Sequence, residues 1–144
     1  MIQTLTGIDS TSSALAAERV RMEVITQNIA NANTTRGLDG KPYQRQIVVF
    51  EQALNNAQGA YNGPGGGPQK VEVARIDKDN RPPRIVFNPG HPDTDAEGMV
   101  ALPNVNIHEE MADLIAASRA FEANLAVVKN ARSMAMQTLQ IGKR

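Results

Sequence analysis

At 144 residues the chain has the length of one ordinary domain, and its 15 Lys and Arg balance its 15 Asp and Glu. That balance argues against nucleic acid or an anionic membrane as the main partner, since both are usually met by a basic excess. Only three Phe and two Tyr are present, too few for a base-stacking platform, and with no Cys there can be no disulfide, thiol catalysis or zinc–thiolate site.

The first segment, 1–37, is predicted to be a helix from about 8 to 33. Ile8, Leu15, Met22 and Ile29 recur every seven residues, and Ile25 extends the same apolar stripe. Asp9, Ser10 and Thr11 are candidate N-caps, and Asn31, Asn33, Thr34 and Thr35 ahead of Gly37 read as a stop. The opening residues lack a basic region followed by an apolar run, so no cleavable secretory signal is expected, and no stretch is apolar enough for a membrane span.

The middle segment, 38–103, is predicted to be a small β-rich domain. It carries all eight prolines, with Pro103 at its edge. Gln46 to Phe50, Val71 to Ile76 and Arg84 to Phe87 read as short strands. The turn-like Asp77-Lys78-Asp79-Asn80 suggests a hairpin between the second and third of them. Gly59 to Pro68 has almost nothing to bury and reads as a flexible loop.

The last segment, 104–144, has the clearest pattern. Ile107, Met111, Leu114, Ser118, Phe121, Leu125, Val128, Arg132, Ala135 and Leu139 follow alternating steps of four and three, a heptad seam on a helix from about 107 to 140. Asn106 is placed to cap it, with Glu109 in capping-box position. Acidic residues at its start and basic residues toward its end complement the helix dipole. The expected fold is therefore α+β: long N- and C-terminal helices forming a coiled-coil-type core, plus a small β-rich middle.

Each flank offers a single apolar stripe, too little burial to hold some 30 residues helical on its own. Pairing the flanks still leaves Ile115 and Val127 without neighbours. The flanks are thus expected to be weakly ordered in the isolated chain and to firm up against other copies or relatives.

These flanks also carry a resemblance. Ser13-Ala14-Leu15, Arg21, and Asn28-Ile29-Ala30-Asn31-Ala32-Asn33-Thr34 with Gly37 look like the N-terminal motif of flagellar rod, hook and hook-associated proteins. Pro103-Asn104-Val105-Asn106, Glu110-Met111, Leu114-Ile115, Ala117 to Asn124 and Leu139 to Gly142 resemble the matching C-terminal motif. Gly37 to Tyr43, Asn88 to Pro92 and Gly98-Met99-Val100 look specific to a proximal-rod branch of that family, although position 99 is more often aromatic there.

The resemblance implies a non-enzymatic subunit of a tubular drive shaft that transmits torque and surrounds an export channel. Such a subunit is exported without a cleaved signal through the flagellar type III apparatus and assembles in the periplasm. Its implied partners are other copies of itself, proximal- and distal-rod proteins, the FliE adaptor and the membrane ring. No cofactor, small-molecule substrate or nucleic acid is implied. The packing residues it suggests are Ile8, Leu15, Met22, Ile25, Asn28, Ile29, Asn31 and Asn33, and then Ile107, Met111, Leu114, Ser118, Phe121, Leu125, Val128 and Leu139.

Some residues could suggest chemistry instead. Asp93, Asp95, Glu97 and Gly98 match the opening of a calcium loop, but Asn104 stands where a bidentate Glu is needed, so a solvated turn is the expected reading. His91 and His108 have no obvious converging partners, Ser118 has no base, and Gly65-Gly66-Gly67 lacks the Lys that a phosphate loop requires. The rival to a rod subunit is a soluble coiled-coil adaptor whose middle domain binds a ligand.

Overall fold

The computed structural model describes residues 2–37, 39–53 and 70–142. Two long helices flank four strands: α1 (Ile2–Ala30), β1 (Gln46–Ala53), β2 (Lys70–Lys78), β3 (Arg84–Phe87), β4 (Met99–Leu102) and α2 (Ile107–Ile141). The chain is α+β as expected. The expected Gly59–Pro68 loop lies outside the described residues.

The two helices pack along one another, and the end of α1 meets the start of α2, so they run in opposite directions. α1 begins earlier than its candidate caps suggest. Thr11 Oγ1 donates to the Gly7 carbonyl at 2.8 Å and Ser13 Oγ to that of Ser10 at 2.8 Å. Both hydroxyls return their protons to carbonyls of the preceding helical turn, so the helix runs through them. α2 starts where the sequence places it, with Asn106 Oδ1 accepting from the His108 N–H at 3.2 Å. Glu109 takes up the Asn106 side-chain amide, at 3.0 Å, in place of the backbone N–H of a capping box.

β1 and β2 pair antiparallel from Gln46 opposite Lys78 to Ala53 opposite Lys70, with an irregularity between Val49 and Phe50. This ribbon lies against α1, and the Val71 N–H reaches Ser13 Oγ at 3.2 Å. β3 pairs antiparallel with β4, a strand the sequence reading did not identify. The hairpin expected between β2 and β3 is therefore corrected. Asp77 and Lys78 stay in β2, paired with Ile47 and Gln46, and residues 79–83 carry the chain from one two-stranded ribbon to the other.

The core is small. Ala17, Val24, Ile25 and Ala32 on the α1 side meet Val100, Pro103, Val105 and Ala117. Small side chains dominate it, which lets the two helices approach closely. The large apolar residues Met111, Ile115, Val127, Met134, Met136, Leu139 and Ile141 of α2 stay exposed.

Candidate assembly interface

The most deeply buried side chain of any size belongs to Glu110, 0% exposed in the first turn of α2. A carboxylate survives such burial only if its oxygens are engaged. Arg45, just before β1, donates Nε to Oε1 at 2.6 Å, and Asn28, on the last turn of α1, donates Nδ2 to Oε2 at 3.0 Å.

Asn28 is itself fully used. Its Nδ2 also donates to the Gln46 carbonyl at 2.9 Å, while its Oδ1 accepts from Tyr43 Oη and from the Gln46 N–H, each at 2.9 Å. The same arginine lies 3.7 Å from Asp79 and 3.7 Å from Asp113, so three carboxylates surround one guanidinium.

Asn104, beside the buried Pro103, closes the arrangement. Its Oδ1 accepts from the Arg45 N–H at 2.8 Å, and its Nδ2 donates to the carbonyls of Asp79 at 3.2 Å and Arg81 at 3.0 Å. Four stretches distant in sequence are thus tied at one point: the end of α1, the entry to β1, the link after β2 and the start of α2. Buried polar groups satisfied this completely fix one arrangement of the elements more than they add to stability.

The electrostatics follow from the same contacts. Burial, and then the charge of Glu110, raise the Tyr43 phenol above its usual range. Hydrogen bonds from Arg81, first from its side chain at 2.8 Å and then from its N–H at 3.0 Å, hold the Asp79 carboxyl below the usual carboxylate range.

The sequence-predicted residues separate into two groups. Ile25 and Asn28 are buried, and Ile8, Leu15, Met22, Ile29 and Asn31 are half-buried on α1, while Asn33 is exposed. Leu114, Ser118, Phe121 and Val128 are half-buried on α2, whereas Ile107, Met111, Leu125 and Leu139 are exposed. The single seam expected on α2 is therefore divided. Seating Glu110 inward, one turn before Leu114 and Ala117, turns Ile107 and Met111 to the outside. Asn28 makes four hydrogen bonds within the chain, and they tie the end of α1 to the entry of β1 and to α2.

Arg45, Tyr43, Glu110 and Asn104 as a connected set were missed by sequence reasoning. The available signal was Glu110 itself, an acid in step with Leu114 and Ala117 that demands a buried counter-charge.

The residues that suggested chemistry are occupied structurally. Asp93 accepts from Thr35 Oγ1 at 2.7 Å and lies 3.5 Å from Arg36. Asp95 Oδ1 accepts from the N–H groups of Glu97 and Met99, and His91 Nδ1 accepts from the Asp93 N–H. Among the described residues no group of three or more His, Asp or Glu is arranged to hold a metal ion.

Residues 8–36 match the family model described as "Flagella basal body rod protein", and residues 96–141 that described as "Flagellar basal body rod FlgEFG protein C-terminal". The chain is 43% identical over 146 residues to the flagellar basal-body rod protein FlgC of Borreliella burgdorferi, which covers 94% of this chain and 95% of the relative. It is 40% identical to FlgC of Yersinia enterocolitica, with 94% and 95% covered, and 37% identical to FlgC of Bacillus subtilis, with 95% and 97% covered. The chain belongs to the FlgC family of flagellar basal-body rod proteins. Both matched regions contribute to the buried network, Asn28 from the N-terminal one and Asn104 and Glu110 from the C-terminal one. In this FlgC-family chain the two motifs are physically one junction.

Proposed function

We propose that this chain, a structural subunit of the flagellar basal-body rod, holds its two flanks in register through the Asn28–Glu110–Arg45 junction and joins neighbouring subunits through the exposed side of α2. Its role is mechanical, not catalytic. The observation that carries this reading is the number of large apolar side chains that α2 leaves exposed, Met111, Ile115, Leu125, Met136 and Leu139 lying toward one side of it. Exposed apolar side chains gathered on one side of a helix point to a protein–protein contact. The exposed members of the predicted set, Ile107, Met111, Leu125 and Leu139, make that contact, and the half-buried ones on both helices back it.

On this reading the helices complete a coiled-coil-type packing with other copies, with proximal- and distal-rod relatives and with the FliE adaptor at the membrane ring. The resulting tube transmits torque and encloses an export path in the periplasm. The chain reaches it through the flagellar type III apparatus without a cleaved signal, the parts of its flanks beyond the junction loosely ordered until neighbours cover them.

The test is Leu125→Asp, which puts a charge on the exposed row without touching the junction. Motility and rod assembly are expected to be lost, with the β-ribbons still folded by near-ultraviolet circular dichroism. A normally swimming Leu125→Asp strain refutes the packing role. A monomer that holds full helix content at micromolar concentration and below, with no gain on adding rod partners, would instead support the soluble-adaptor reading.

A further inference from the structure

The β3–β4 ribbon has an inner and an outer face. Val100 is buried and Leu102 half-buried, so their side of β4 turns inward, while Val86 opposite Val100 is 37% exposed. Alternation puts Ile85 and Phe87, opposite Ala101 and Met99, on the outer face. Ile85 is 61% exposed and Phe87 66%. Gly98, with φ +80°, lies beneath the Phe87 ring, where a Cβ would stand 2.7 Å from the nearest ring carbon. An aromatic ring is thus seated on a glycine turn and presented to solvent. Two residues before Met99, Glu97 is exposed at the end of this apolar row and has no ion-pair partner among the described residues.

A row of the same spacing and opposite charge lies on the outer side of α2. Met111 and Ile115 are exposed one turn apart, about 6 Å along the helix, and Arg119 follows one turn later. On the ribbon, Ile85 and Phe87 are about 6.6 Å apart, and Glu97 stands in the turn that leads into β4. Arg119 also lacks an ion-pair partner among the described residues.

We propose that the outer face of the β3–β4 ribbon in one copy docks on the first turns of α2 in the next copy, with Ile85 against Met111, Phe87 against Ile115, and Glu97 paired with Arg119. The two surfaces differ and both are left open in a single chain. The contact is therefore head-to-tail, and such contacts generate open helical arrays unless the rotation closes a ring. The opposite charges set the direction of docking and reject the reversed one. This proposal rests on the rod-subunit reading and names one of its contacts.

Because the native chain has no cysteine, disulfide trapping reads this contact directly. The full-length chain carrying Ile85→Cys and Met111→Cys replaces the native copy in motile cells, and basal bodies are isolated and oxidised. Covalent multimers are expected from the double variant, at far higher yield than from either single variant or from the mismatched pair Ile85→Cys with Met136→Cys. Glu97→Arg in the double-cysteine background is expected to cut the yield at least about tenfold, and adding Arg119→Glu to restore it. Circular dichroism checks that each variant retains its fold. A yield no higher than that of the mismatched pair, in cells that still build rods, overturns this contact and leaves the rod reading standing. Trapping to a different protein rules out a second copy as the occupant. Failure of the native chain to enter basal bodies would overturn the rod reading beneath it.

Discussion

Replacing Asn28 with Ala is the sharpest test of the junction, because one small side chain there makes four hydrogen bonds. Three are to neutral groups, the Gln46 N–H, the Gln46 carbonyl and Tyr43 Oη, and one is to the Glu110 carboxylate. At about 1 kcal/mol net for each neutral bond and about 2 kcal/mol for the charged one, their simple sum is about 5 kcal/mol. Tyr43 is only half-buried and can turn its hydroxyl to water, which removes about 1 kcal/mol of that. Glu110 and the Gln46 backbone have no such escape. A loss of about 3–4 kcal/mol is therefore expected, large for a single substitution and a sizeable part of an ordinary domain's stability. Urea unfolding followed by circular dichroism measures it. Asn28→Asp keeps the shape but sets two carboxylates about 3 Å apart, so its stability should recover as the pH falls and one of them takes a proton. A loss below about 1 kcal/mol for Asn28→Ala, or no acid recovery for Asn28→Asp, would refute the claim that this junction holds the flanks together.

Gly98→Ala should cost about 1–3 kcal/mol, because it combines a left-handed backbone with a clash against the Phe87 ring, and the effect should appear in thermal unfolding. The Tyr43 phenol, raised by burial and by Glu110, should ionise above the ordinary tyrosine range in an ultraviolet titration of a Tyr61→Phe chain. Since its folded value is the higher one, the stability linked to it is fully present below the unfolded value near 10. That stability is lost as the pH rises through the folded value, and Glu110→Gln should move the titration back toward normal.

Local signals in the sequence were enough for α2, where a cap, a sustained period and no breaker all agree over 35 residues. The start of α1 escaped them, because Ser and Thr are ambiguous. The same hydroxyl that caps an N-terminus in one setting bonds back to a carbonyl in another, as Thr11 does. β3 was placed correctly from its apolar run, but its partner β4 has only four residues and lies across an eleven-residue connection, too long for its turn residues to announce the pairing. The link after β2 looked like a hairpin turn because Asp77–Asn80 has turn chemistry. Its direction is set by a distant residue, Asn104, which bonds the Asp79 and Arg81 carbonyls. The junction was illegible for the same reason. Asn28 and Glu110 are 82 positions apart, and nothing local to either indicates the other.

Among the described residues α2 is packed from its first turn to about Ala131 and open beyond it. Its first turn is tied through Glu110, whereas every residue from Arg132 to Gly142 is exposed. At about 1.5 Å per residue the wholly exposed stretch from Arg132 to Ile141 is roughly 15 Å long, so a bend of about 5° where it leaves the packed part moves its tip by about 1.3 Å. Such a cantilever lets identical molecules reach slightly different stations around a shaft, the root keeping alignment while the tip accommodates curvature. Stiffness at the base comes from the buried carboxylate and the packing on α1, and tolerance at the end from the exposed last turns.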